Sequence, residues 1–202
     1  MSDRRTEILR AATRVIARRG VRGLRVGELA AEAGVSTSLI YYHFTDRAGI
    51  LRRTLEFISD RAERYTAERE EDPDDPESPR EELKRTLLLE LQDTPEVREN
   101  STAWGELRAS AVFDPDLRED VAKATHSWVH EISYLLAQAR PTGTAPEHAA
   151  AAERLTALLE GLSVRWLSGS LPLEHARRLL ADAIDGELAV QGLPGSGAGT
   201  TR

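Results

Sequence analysis

Apolar residues recur at the helical period from one end of this chain to the other, and β-branched runs of period two are missing. In the first segment Ile8, Ala12, Val15 and Ile16 share one helical face, while Arg4, Arg10, Arg14 and Arg18 lie elsewhere. Successive side chains of a strand point to opposite faces, so this spacing would scatter the apolar groups over both sides of a sheet. We therefore expect an all-α fold. Breakers and caps divide the pattern into about nine helices, over roughly 3–19, 26–33, 36–43, 47–67, 80–92, 95–112, 115–140, 147–168 and 172–191.

The punctuation has physical causes. Gly20 and Gly34 stop two helices, Ser36 can accept from first-turn N–H groups, and Thr45 or Asp46 can do so before the fourth helix. Residues 68–80 combine three prolines with a run of acid, which predicts a solvated loop. Pro95 and Pro115 suit first helical turns, and the small, polar residues 192–202 predict a disordered tail. With 202 residues, 40% of them apolar, the chain can build a substantial core.

Several function classes drop out on composition. There is no cysteine, which excludes disulfide frameworks, thiolate metal sites and cysteine nucleophiles and is compatible with a reducing cytoplasm, where we expect the protein. The first residues carry no apolar targeting core, and no run of about 18 apolar residues occurs, so no membrane partner is expected. The net charge of −7 would argue against nucleic acid if it were evenly spread. It is not. Residues 1–53 hold eleven Arg against five acids, a balance of +6, and the rest of the chain stands at −13.

Within the basic head, Leu29-Ala30, Ala33-Gly34-Val35-Ser36 and Leu39-Ile40 form the pattern of a helix-turn-helix. Ala30 and Ala33 allow close helix approach, Gly34 permits a left-handed turn, and Val35 fits the angle between the helices. The second helix then presents Thr37, Ser38, Tyr41, Tyr42 and His43 outward. These are hydrogen-bonding groups with no acidic member, suited to phosphates and base edges. The plain alternative is a helical corner with ordinary surface aromatics; the local excess of arginine favours DNA.

The stretch from Gly23 to Leu51, GLRVGELAAEAGVSTSLIYYHFTDRAGIL, resembles the DNA-binding domain of the tetracycline-repressor (TetR) family of bacterial regulators. The segment from Leu158 to Arg177 is similar to the end of the family's betaine-regulator-like branch. The resemblance implies an N-terminal three-helix DNA-binding domain (1–50) and a larger helical effector-binding and dimerisation domain (51–191). It further implies that Ser36, Thr37, Ser38, Tyr41, Tyr42 and His43 make most DNA contacts, with Arg25 and Arg47 as flanking phosphate clamps. Two positions depart from the usual pattern: Arg25 replaces a capping threonine and Arg47 replaces a lysine. Phe44 is expected in the head's core.

In the body, the stripes of the last two helices include Leu155, Leu158, Leu159, Leu162, Trp166, Leu179, Leu180, Ala183 and Ile184. The family pairs such helices across a twofold axis, which implies a homodimer on a near-palindromic operator; the alternative is that they cover the chain's own core. Asn100 shares a helical face with Trp104 and Leu107, and Trp128 lies on an inward stripe. A few polar groups among apolar ones suit a small-molecule pocket, to whose walls we assign Asn100, Trp104, Leu107 and Trp128, then Leu87 and Leu91. These aromatics could equally fill the core. His126 and His130 have metal-chelating spacing but no third ligand and lie opposite Trp128, so no metal or cofactor is expected. No Glu-x-x-His pairs or phosphate-cradling loop point to an enzyme. The expected function is a transcriptional repressor released from its operator by a small-molecule effector. An effector-independent DNA-organising or cell-division factor, and a helical metal protein or enzyme, are the alternatives.

Overall fold

The computed structural model describes residues 3–67 and 77–189, and the described residues form nine helices with no strand. They are α1 (Arg4–Gly23), α2 (Val26–Ala33), α3 (Thr37–His43), α4 (Arg47–Ala67), α5 (Pro79–Leu89), α6 (Pro95–Ala111), α7 (Pro115–Ala139), α8 (Ala145–Leu167) and α9 (Leu173–Ala189). The expected tail and most of the expected acidic loop lie outside the described residues. That loop ends earlier than its composition suggests. Ser78 caps α5 in a reciprocal box with Glu81, and Pro79 occupies the first turn, where its missing N–H costs nothing.

Polar caps open most of the other helices. Ser36 accepts from Leu39 N at 3.2 Å, Thr94 from Val97 N at 3.2 Å, and Asp114 from the amides of Asp116 and Leu117. Of the two candidates before α4, Asp46 does the work, its Oδ1 accepting from Gly49 N at 2.7 Å. Each cap satisfies amides that have no intrahelical acceptor.

Two apolar cores organise the chain. The first joins α1–α3 and the first half of α4 to Ala103, Leu107 and Ala111 of α6 and Leu117 and Val121 of α7. The second joins α5, the C-terminal half of α7, α8 and α9. The long helix α4 contributes to the first core and packs on α5, α6 and α7, and it is not alone in joining head to body, since α1 also packs directly against α6. The reason is visible in α1 itself, whose buried positions Ile8, Leu9, Ala11, Ala12, Val15 and Ile16 cover too wide an arc to face only the small helices α2 and α3.

Candidate nucleic-acid interface and effector cavity

The head is a helix-turn-helix in geometry as well as in pattern. Gly34 ends α2 at φ 64°, ψ 37°, a left-handed conformation that a Cβ would penalise, and Val35 N closes the turn on Ala30 O at 3.0 Å. Leu29, Ile40 and Phe44 are buried beneath. Ile40 faces in and Leu39 is half-buried, while Ser36, Thr37 and Ser38 are exposed, and Tyr41 and Tyr42 are 56% and 82% exposed. His43 is half-buried and meets Tyr42 edge to face at 5.2 Å. Five hydrogen-bonding side chains thus sit on one short helix, with Ser36 at its cap, and neither tyrosine is used in the protein's own core.

The two flanking arginines differ. Arg25 stands at the N-cap of α2, makes no capping bond and is exposed. Arg47 was expected to reach phosphate, but its guanidinium donates to Val21 O at 2.6 Å and Leu24 O at 3.2 Å. These carbonyls lie at the C-terminal end of α1, where helix carbonyls carry partial negative charge and lone pairs to spare, so the cation is drawn to them. Arg47 therefore ties α4 to the α1–α2 connection in this structure. From the other side, the Glu106 carboxylate of α6 accepts from Val21 N at 3.4 Å. Gly20, at φ 70°, lets the chain pass: a Cβ there would come within 2.6 Å of Glu106 Oε2. Arg22, which the sequence reading passed over, is exposed beside Arg25, and neither has an ion-pair partner among the described residues. Arg14 and Arg18, by contrast, are held by Glu32, and Arg19 by Glu28. The Arg14 hydrogen bond holds the Glu32 carboxyl below the usual glutamate range.

A cavity of about 400 Å³ opens among α4, α6, α7 and α8, with the end of α5 at its edge, a size that suits a small molecule. Asn100, Trp104 and Trp128 lie in its wall. Leu87, Leu91 and Leu107 do not, a correction to the assignment from sequence: all three are sealed in the cores at 0–1% exposure. Their chain neighbours Thr86, Glu90 and Arg108 line the cavity instead. One residue is 100° of helix, and periodicity alone did not fix which edge of each stripe the cavity meets.

Several of the cavity's polar groups are committed to one another. Arg108 bridges Glu160 at 2.6 Å and Thr125 Oγ1 at 2.7 Å and lies 5.4 Å from the Trp104 ring, whose Nε1 donates to Glu160 at 3.4 Å. Burial pushes the Glu160 carboxyl up, against the charge of Arg108 and the Trp104 hydrogen bond. Glu90 and Glu131 also lie in the wall. Asn100 is 3% exposed; its Nδ2 donates to Ile58 O at 3.2 Å and its Oδ1 has no hydrogen-bond partner.

Comparison with known proteins is decided by both ends of the chain. The profile of "Bacterial regulatory proteins, tetR family" matches residues 8–54, and that of "BetI-type transcriptional repressor, C-terminal" matches residues 79–189. The chain belongs to the TetR family. A TetR-family regulator from Rhodococcus sp. is 47% identical, with a TM-score of 0.85 over 94% of this chain and 100% of its own. A Saccharomonospora viridis transcriptional regulator, solved with choline, is 29% identical, with a TM-score of 0.74 over 90% of this chain and 95% of its own. The regulator BetI of Stenotrophomonas maltophilia is 27% identical over 94% of this chain and 95% of its own. Members of this family are transcriptional regulators rather than enzymes; they bind DNA and act as dimers.

For a TetR-family protein the outer face of the last two helices is of interest, and burial divides the expected interface residues between the two alternatives. Leu155, Leu159, Leu162, Trp166, Leu180 and Ile184 are at most 6% exposed within a single protomer, packed in its second core. A side chain already sealed at home has no surface to offer a partner. Leu158 and Ala183 are half-buried against that core, and Leu179 is 39% exposed. The outward side of α8 carries Ala157, Gly161 and Val164 instead. His126 and His130 are exposed on α7, and among the described residues no group of three or more metal-ligating side chains occurs. No described helix is long and apolar enough to cross a membrane.

Proposed function

We propose that this TetR-family protein is a homodimeric repressor that holds a near-palindromic operator through α3 of each protomer and releases it when an organic cation fills the cavity. Ser36, Thr37, Ser38, Tyr41, Tyr42 and His43 read the major groove, and the unpaired Arg22 and Arg25 approach the flanking phosphates. A twofold axis through the outer faces of α8 and α9, at Ala157, Gly161, Val164 and Leu179, presents the two α3 helices about one helical turn of DNA apart, about 34 Å.

The observation that carries the effector reading is the span of α4. Its first turn seats the head through Ile50 and Leu51, and two turns on, Ile58 and Ala62 form cavity wall. A ligand against Ile58 acts on the helix that positions α3, and it need only prefer the dimer geometry that misplaces the heads. A cation is favoured by the two indoles of the wall, Trp104 and Trp128. The choline bound by the Saccharomonospora viridis relative is of that chemical class. Genome-wide mapping of bound sites supplies the operator. Its affinity, measured with and without candidate cations, should fall by about 5–150-fold at saturation, a coupling of about 1–3 kcal/mol. Unchanged operator affinity at saturating ligand defeats the effector reading.

A further inference from the structure

We propose that the hydroxyls of Ser59, Thr86, Ser101 and Ser163 are specificity-determining groups of the cavity, so the effector carries hydroxyl or carbonyl oxygens at more than one edge of its skeleton, as a polyoxygenated ring compound does. This rests on the reading of the cavity as an effector site, though not on the effector being a cation. A cation that fills the site is a multiply oxygenated one.

All four residues lie in the cavity wall, and each comes from a different helix: Ser59 from α4, Thr86 from α5, Ser101 from α6 and Ser163 from α8. A hydroxyl on a helix has a local acceptor within reach, the carbonyl four residues back. Thr13, Thr54, Thr125 and Thr156, none of them in the wall, donate to it at 2.7–2.9 Å. The four wall hydroxyls do not, and none has another hydrogen-bond partner among the described residues. Nor are they shut away. The described side-chain atoms that are both buried and partnerless are Arg5 Nε, Asn100 Oδ1, Arg108 Nε and Arg140 Nε. The four hydroxyl oxygens therefore keep accessible surface, although Thr86 is 8% exposed and the three serines are half-buried. Ser127 of α7 adds a fifth wall hydroxyl without a partner, on an exposed residue. A ligand that lays an apolar edge against such a hydroxyl cuts it off from water and returns nothing, whereas a ligand oxygen takes the water's place. A hydroxyl both donates and accepts, so alcohols, phenols and carbonyls all qualify. With the hydroxyls spread over four helices, a ligand with one polar end cannot meet them together. Between them the indoles of Trp104 and Trp128, with Ile58 and Leu159, suit an apolar ring skeleton.

The test uses the full-length protein, equilibrium dialysis and four probes that differ in two features. Stilbene and 3,5-dihydroxystilbene form a neutral pair; the same two molecules with a trimethylammonium group at the para position of the other ring form a cationic pair. Taking hydroxyls out of water opposes binding, so a wall without polar partners favours the unhydroxylated member of each pair. We expect the reverse: the dihydroxy compound binds about fivefold or more tightly in both pairs, and the preference falls to about twofold or less in the triple variant Ser59→Ala, Ser101→Ala, Ser163→Ala. Alanine is the better helix former at each position, and if the triple variant still does not fold, Thr86→Val reads the same loss from α5. Equal binding, or a preference for the unhydroxylated member, in either pair that binds overturns the proposal and leaves the cavity an effector site. A full preference in a folded triple variant overturns it as well. A preference in the neutral pair with no binding of either cation upholds the hydroxyls and overturns the cation. Failure of all four probes to bind overturns both the proposal and the effector site on which it rests.

Discussion

The head and the body of this protein put their chemistry on opposite sides of the chain. In the head, α3 turns Ile40 inward and everything with a hydrogen-bonding tip outward, leaving Tyr42 82% exposed. In the body, Asn100, Trp104, Arg108 and Glu160 line a cavity; Trp104 and Arg108 are bound to Glu160, and Asn100 to the backbone of α4. An outward site is a property of one short helix and its neighbours in sequence. An inward site belongs to five helices at once. Substitutions in the two regions should therefore separate cleanly by readout.

The largest expected effect is in the head. Thr37→Ala and Tyr42→Ala should each weaken operator binding by about 1–3 kcal/mol, with helicity and dimerisation unchanged. Tight operator binding by the double variant would break the assignment of α3. The mirror experiment in the body is Trp104→Ala, expected to cost about 1–2 kcal/mol of cation affinity as an indole face is lost, while operator affinity without ligand changes by less than about threefold. A loss of operator affinity as large as that of ligand affinity would show that the regions are not separable.

Gly20→Ala probes the seam between them. The positive φ and the approach of Glu106 Oε2 both oppose a Cβ, so thermal unfolding should show a loss of about 1–2 kcal/mol. Glu106→Gln should relieve part of it, because a neutral amide can move aside at lower cost. Additive losses in the double variant would show that Glu106 is not what Gly20 avoids.

The smallest effect is in titration, and its sign differs between regions. Glu32 in the head titrates below the ordinary glutamate range because of Arg14, so its contribution to stability is present above that range and is lost as pH falls through its lowered value. Glu160 in the body titrates above it because of burial. The folded state then binds that proton more tightly than the unfolded state does, so stability declines as pH rises from the ordinary glutamate range through the raised value. Carboxyl carbon shifts followed by NMR should show the two midpoints on opposite sides of an exposed glutamate. Midpoints on the same side would remove the electrostatic half of the comparison.

Legibility followed the same division. The turn at Gly34, the cap at Ser36 and the burial of Phe44 were readable because each depends on neighbours within a few residues. The tie that Arg47 makes was not readable, for the opposite reason. Its partners Val21 and Leu24 are carbonyls more than twenty positions away, and no pattern announces which end of a helix a long cation will find. The apolar stripes of α8 and α9 were open to two readings, a partner or the chain's own core, and the second core takes most of them. Trp104, Asn100 and Trp128 come together in one wall, whereas Leu87, Leu91 and Leu107 stand one residue away from the positions that face the cavity.

By itself the sequence determined the all-helical class, the order of the helices and the family of the head, since period, caps and turn chemistry are local and repeat along the chain. It also determined the charge split, +6 against −13, that reconciles an acidic protein with DNA. Only the tertiary structure decided that α1 as well as α4 joins head to body, that the Val21 peptide is gripped by Arg47 and Glu106, and that Asn100 keeps an unmet acceptor in the cavity wall. These depend on the angle at which one helix meets another, and a rotation of 100° about an axis, invisible in a stripe of leucines, exchanges a core residue for a binding one.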